Sequence, residues 1–233
     1  MVAGGGALGV ALANRLAEQS AGGQVTVLAR RTPQGLADGV QVITVEASDP
    51  QSITAAAEDC SSRGPLHLLV NTVGLLHDSE VQPEKRLRDL TPENFHQSMT
   101  VNALFPALLA EGFSRALRHV EPAIFGSLSA RVGSIGDNGL GGWYSYRASK
   151  AAQNMLLRTL SREWRISHRN VTVVALHPGT VASSLSRPFV SDSYRKRVLS
   201  PSESASYLLD VMRELSPADS GSFFDWRGES IPW

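Results

Sequence analysis

Met1-Val2-Ala3-Gly4-Gly5-Gly6-Ala7-Leu8-Gly9-Val10-Ala11-Leu12-Ala13-Asn14-Arg15-Leu16 opens the chain. Three consecutive glycines run into a segment of helical period. A glycine-rich turn at a helix start lets backbone approach an anion while the helix N-terminus offers N–H groups and positive dipole, an arrangement suited to a pyrophosphate. Gly4, Gly5, Gly6 and Leu8 are therefore candidate dinucleotide-binding residues, although three glycines alone also read as a flexible turn. Only Met1, Val2 and Ala3 precede them, short of the usual strand of about 5 residues, so a clipped first strand is expected.

Outward from this loop, apolar runs bounded by turn residues alternate with longer segments of helical period. Residues 25–29, 40–45, 66–71, 123–127 and 171–176 read as strands. Residues 8–19, 50–60, 92–117, 144–164 and 201–215 read as helices, the last with Ser200 as N-cap and Pro201 at the first helical position. Repeated strand-helix-strand units predict an α/β Rossmann fold: a doubly wound, mostly parallel sheet of about seven strands with helices on both faces. No repeat, low-complexity tract or linker interrupts the 233 residues, so one domain is expected over 1–233.

The 22 basic and 22 acidic side chains cancel, which gives no global field to draw the protein to nucleic acid or anionic lipid. Cys60 is the only cysteine, which excludes an internal disulfide and fits a reducing compartment. No apolar run approaches the roughly 20 residues of a membrane helix, and the N-terminus has no signal-peptide pattern. A cytoplasmic protein without membrane or nucleic-acid partners is expected. The six histidines show no metal-ligand spacing, so no metal is expected.

Two further stretches carry chemistry. Where the second predicted strand ends at Ala29, an acidic side chain would accept hydrogen bonds from an adenosine ribose, but Arg30 and Arg31 follow. A guanidinium suits a 2'-phosphate, so NADP(H) is expected over NAD(H), with two solvated surface arginines as the bland alternative. In Tyr144-Ser145-Tyr146-Arg147-Ala148-Ser149-Lys150, Tyr146 and Lys150 stand four apart on one helical face. A phenol acts as a proton donor and acceptor near neutral pH when an adjacent ammonium lowers its pKa. Tyr144 has no lysine at that offset and reads as a packing or substrate-wall residue.

With Asn71-Thr72-Val73-Gly74, Val101-Asn102-Ala103 and Pro178-Gly179-Thr180-Val181 in the same order, the chain resembles the short-chain dehydrogenase/reductase superfamily from end to end, most closely its C-factor and carbonyl reductase-like branch. The resemblance implies that Tyr146 protonates a carbonyl oxygen or takes an alcohol proton, and that Lys150 lowers its pKa and binds the nicotinamide ribose. Asn102 would hold a water of the proton relay. Asn71, Val73 and Gly74 would line the adenosine side, Glu46 and Ala47 would meet the adenine, and Pro178, Thr180, Val181 and Ser183 would grip the carboxamide and pyrophosphate. It also implies pairing of the helices over 92–117 and 144–164 into a homodimer or homotetramer.

The chain departs from the family pattern in three places. Ala3 and Ala7 stand at two glycine positions of the loop, and Asn71-Thr72-Val73-Gly74 lacks the second asparagine and the alanine. In Leu128-Ser129-Ala130-Arg131-Val132-Gly133, Ala130 occupies the register of the catalytic serine. Ser129, one place earlier, is the expected hydroxyl donor, with Ser134 and Tyr144 as alternatives. His177 either borders the nicotinamide or packs in a turn. Residues 184–199, with an apolar patch before Arg195-Lys196-Arg197, read either as a lid with a cationic rim or as a solvated amphipathic helix. Two functions follow: an NADP(H)-dependent carbonyl reductase, or a C-factor-like signalling protein that uses the nucleotide site mainly for binding.

Overall fold

A computed structural model describes residues 1–19, 23–47, 49–192 and 194–233. In chain order the elements are β1 (Val2–Ala3), α1 (Ala7–Gln19), β2 (Thr26–Ala29), β3 (Gln41–Thr44), α2 (Pro50–Ser61), β4 (Leu68–Asn71) and α3 (Pro92–Met99). A π-helical turn (Thr100–Leu104) leads into α4 (Phe105–Leu117), then β5 (Ala123–Leu128) and α5 (Tyr144–Ser167). The chain ends through β6 (Val171–His177), β7 (Thr180–Val181), β8 (Val198–Leu199), α6 (Pro201–Glu214) and β9 (Ser222–Asp225).

Seven strands form one sheet in the order β3-β2-β1-β4-β5-β6-β9, and every neighbouring pair is parallel. Parallel strands need crossovers that place helices on the faces, so the central strands are buried on both sides and read as apolar runs without alternation. One face buries Ile53 of α2, Phe113 of α4 and Trp164 of α5 against Phe125. The other buries Leu12 of α1 and Leu208 of α6 against Val27 and Val174. The strand order reverses between β1 and β4, and the loops leaving their C-terminal ends diverge into the crevice where such sheets bind ligands. The short first strand is present: the Met1 carbonyl accepts from Val70 N–H at 3.0 Å, continuing the pairing beyond Val2–Ala3.

Three differences from the sequence reading have physical causes. The single helix expected over 92–117 is divided by the π-helical turn, because Pro106 has no N–H to donate to the Asn102 carbonyl and the ladder must shift. β9 escaped detection because Ser222-Phe223-Phe224-Asp225 is too short to establish a period. Residues 184–199 contain a 3₁₀ turn (Arg187–Phe189) and β8 but no α-helix among the described residues, which removes the amphipathic-helix alternative; Ser193 lies outside the described residues. Ser200 caps α6 as expected: its Oγ accepts from Glu203 N–H at 3.1 Å, and the Glu203 carboxylate accepts from Ser200 N–H at 2.8 Å. No helix among the described residues is long and apolar enough to cross a membrane.

Candidate active site

A cavity of about 1190 Å³ opens at the C-terminal ends of the strands. Gly4, Gly5, Gly6 and Leu8 form its floor beside β1. Gly4 has φ +119°, and a Cβ on Gly9 would lie 2.0 Å from the Gly4 carbonyl oxygen, so α1 begins in backbone contact with the loop. These glycines do the close packing that the Ala3 and Ala7 departures left open. Beyond β2, Arg30 and Arg31 line the cavity, and among the described residues neither makes an ion pair or hydrogen bond. Val45, Ala47, Val73 and Gly74 supply a mainly apolar wall.

Two residues assigned to this wall stand elsewhere. Glu46 is exposed and off the cavity, its carboxylate accepting from Ala47 N–H at 3.0 Å, because the turn after β3 sends Val45 and Ala47 inward and Glu46 outward. Asn71 is wholly buried beneath the wall, where it donates to Ser127 Oγ at 2.9 Å and accepts from Val73 N–H at 3.1 Å. It braces Val73 rather than facing the cavity.

From β7 and the turns on either side of it come Pro178, Thr180, Val181 and Ser183, all on the wall, with Thr180 Oγ1 hydrogen-bonded to the Tyr194 hydroxyl at 2.6 Å. His177 also lines the cavity; burial pushes its pKa down to about 4, and its Nδ1 is enclosed without a hydrogen-bond partner among the described residues.

At the other end, Gly141, Gly142 and Trp143 all have positive φ and turn the chain sharply into α5. Buried Glu84 holds this entry: its carboxylate accepts from the Ser145 N–H at 3.1 Å and from the Ser145 hydroxyl, and its backbone carbonyl accepts from Trp143 N–H at 2.6 Å. One turn apart on α5, Tyr146 and Lys150 are both buried and both line the cavity, with Lys150 Nζ 5.9 Å from the Tyr146 ring centroid. Lys150 Nζ donates to the Leu128 carbonyl at 2.9 Å and to Gln153 Oε1 at 2.8 Å. Burial pushes the lysine down to about 7 and the phenol upward. The expected lowering of the phenol by the ammonium is not seen here, because the ammonium is turned toward Leu128 and Gln153 and desolvation dominates. The Tyr146 hydroxyl makes no hydrogen bond with another described residue.

The π-helical turn carries Asn102, which is fully buried. Its Oδ1 accepts from Leu75 N–H at 2.7 Å, while its Nδ2 donates to the Leu75 carbonyl at 2.8 Å and to Ser149 Oγ at 3.0 Å. Asn102 thus ties the loop after β4 to α5 without itself lining the cavity. In the 3₁₀ turn Arg131–Gly133, a Cβ on Gly133 would lie 2.8 Å from Lys150 Cβ and 3.0 Å from its carbonyl carbon.

Of the three candidate hydroxyls, Ser129 alone is on the cavity wall, and its Oγ donates to Asn154 Oδ1 at 2.7 Å. Ser134 is buried off the wall and accepts from Asp137 N–H at 3.2 Å; Tyr144 is 38% exposed and outside the cavity. The aromatic wall comes instead from Trp143 and Phe189, whose ring centroids are 4.9 Å apart, with Trp143 6.2 Å from Tyr146. The sequence reading missed Trp143, Glu84 and Gln153. Only Trp143 carried a signal, a bulky residue between two glycines and a helix start.

Residues 1–193 match the short chain dehydrogenase family. The chain belongs to that family. It is 32% identical over 190 residues to the 1-hydroxy-2-glutathionyl-2-methyl-3-butene dehydrogenase of Rhodococcus sp. (strain AD45), covering 81% of this chain and 78% of that one. It is 32% identical over 170 residues to the C-signal protein of Myxococcus xanthus, covering 73% and 94% respectively. Among solved structures, the NADPH-bound carbonyl reductase from chicken fatty liver superposes with a TM-score of 0.85 at 27% identity, over 100% of this chain and 93% of that chain.

Proposed function

We propose that the chain is an NADP(H)-dependent oxidoreductase that interconverts a carbonyl compound and its alcohol. The observation that carries this reading is one continuous cavity with the buried Tyr146–Lys150 pair at one end and, at the other, the glycine loop with Arg30 and Arg31, which pair with no described residue. The residues fit the dinucleotide: close-packed glycines at a helix N-terminus for the pyrophosphate, guanidinium groups for a 2'-phosphate, and Val45, Ala47 and Val73 for the adenine. Pro178, Thr180, Val181 and Ser183 hold the nicotinamide half. When bound, the nicotinamide supplies or accepts the hydride. Tyr146, protonated at neutral pH like any phenol and held further toward that form by burial, donates its phenolic proton to the substrate oxygen. Lys150 holds the ribose side, Asn102 fixes the backbone behind it, and Ser129 is the hydroxyl placed to meet the substrate oxygen.

NADPH is expected to bind at least about tenfold more tightly than NADH, since a charge-assisted phosphate contact of roughly 1.5 to 3 kcal/mol corresponds to that factor or more. Isothermal titration with both nucleotides measures it, and equal affinities would remove Arg30 from the cofactor assignment.

Similarity to the C-signal protein supports a second reading, a signalling protein that uses the nucleotide site for binding. A pure binding module has no chemical need for a buried Tyr–Lys pair, so NADPH consumption with a panel of aldehydes, ketones and quinones separates the two.

The protein is also proposed to assemble as a homodimer or homotetramer. Met155 and Leu156 on α5 and Leu104 ahead of α4 expose apolar side chains, and an isologous contact is the commonest way to cover such a face. Light scattering at micromolar concentration is expected to give a multiple of 25.0 kDa; a species of that mass alone would refute assembly.

A further inference from the structure

We propose that Gln153 is a positioning residue for Lys150, whose ammonium it holds at the floor of the catalytic end and whose discharge pH it sets. This rests on the oxidoreductase reading only for its kinetic consequence; the titration itself does not depend on it.

Gln153 lies three residues beyond Lys150 on the same face of α5 and is wholly buried. Its Oε1 accepts from Lys150 Nζ at 2.8 Å, and its Nε2 donates to Ser127 Oγ at 2.7 Å and to the Leu128 carbonyl at 3.1 Å. The amide has one workable orientation. Turned over, it would set an NH₂ group against an ammonium and a carbonyl oxygen against the Leu128 carbonyl. Ser127 Oγ also accepts from Asn71, which in turn holds the Val73 N–H. A buried chain of polar contacts therefore runs from the adenosine-side wall to the catalytic lysine and ends on Gln153.

Among the described residues no charged group offsets the burial of this ammonium. On α5, Tyr146 presents its ring, and Arg147 bonds the Gly141 and Gly142 carbonyls. In the turn after β5, Arg131 pairs with Asp137. Glu84, at the head of α5, is engaged by Ser145. His177 at the end of β6 is held neutral by burial, while the π-helical turn and the loop after β4 present the neutral Asn102 and Gly74. Burial lowers the lysine pKa, and among the described residues the Gln153 oxygen is the one side-chain acceptor on the ammonium, where a hydrogen bond favours the charged form. Removing it leaves only the Leu128 carbonyl and moves the titration to lower pH. A carboxylate in its place moves the titration to higher pH.

The chain has three lysines, Lys85, Lys150 and Lys196, so their ¹³Cε signals in the cofactor-free full-length protein are resolvable by NMR, with Lys150→Met identifying the buried one. Gln153→Met is expected to lower the Lys150 midpoint by about one pH unit and Gln153→Glu to raise it by at least as much, with Lys85 and Lys196 unmoved. The alkaline fall of carbonyl reduction with NADPH is expected to follow the same two directions. An unmoved Lys150 midpoint in folded variants, even with a lowered melting temperature, overturns the proposal and leaves Gln153 a structural amide. Should Gln153→Met not fold, the direction of the Gln153→Glu shift decides alone. Midpoints that move as stated in a protein that reduces no carbonyl uphold the role of Gln153 and overturn the oxidoreductase reading instead.

Discussion

Tyr146→Phe is expected to lower kcat for carbonyl reduction by about 10² to 10⁴, the usual contribution of a positioned general acid. The phenol is buried at the catalytic end of the cavity, its hydroxyl has no protein partner among the described residues, and burial shifts its pKa further above the neutral range. Phenylalanine keeps the ring that packs edge-on against Trp143 and lies 5.9 Å from the Lys150 ammonium. Fold and NADPH affinity should therefore survive while the proton is lost. Steady-state kinetics on an accepted aldehyde or ketone, with NADPH affinity measured alongside, separate these effects. Parent-like turnover by Tyr146→Phe would remove the proton-donor assignment as a whole.

Ser129→Ala should lower kcat by about 10² and leave NADPH affinity nearly unchanged, because a bond to the substrate oxygen strengthens only as alkoxide character develops. Ser129 is the one candidate hydroxyl on the cavity wall, but its proton is directed at Asn154. Donation to the substrate requires the hydroxyl to turn from Asn154, whose amide stays anchored through its Nδ2 to the Gly133 carbonyl at 3.3 Å. Should Ser129→Ala keep full kcat, the alanine at position 130 marks a site that works without a serine, and Tyr146 meets the oxygen alone.

Much of the fold was legible because a parallel sheet covered on both faces demands uninterrupted apolar strands, and 68–71, 123–128 and 171–177 are such runs. β9 was not, since its four residues are held by pairing with β6 rather than by a pattern of their own. In the site, the glycine loop, Arg30 and the Tyr146–Lys150 spacing depend on local chemistry and could be read directly. Glu46 was misplaced because a sequence shows that an acid follows a strand but not which way the turn faces it. Asn102 was legible only through the family resemblance, although Pro106 four residues later explains the π-helical turn that carries it. Glu84 was invisible because only the tertiary fold brings Ser145 into its reach. Gln153 stands within one helical turn of Lys150, but that spacing alone does not tell an amide that holds the ammonium from one that merely packs beside it.

The backbone contact between Gly133 and Lys150 divides the cavity into a part that tolerates change and a part that does not. Any side chain at position 133 must displace the main chain of α5 at the lysine, and no rotamer choice relieves that contact. The opposite wall is made of side chains: Phe189, Leu185 and Tyr194 reach the cavity from a segment with little regular structure. Substitutions there reshape the space offered to a substrate without touching the seat of the lysine. New substrate ranges are therefore expected from single substitutions along 184–199, whereas a new placement of Tyr146 and Lys150 would need the 3₁₀ turn and α5 to change together.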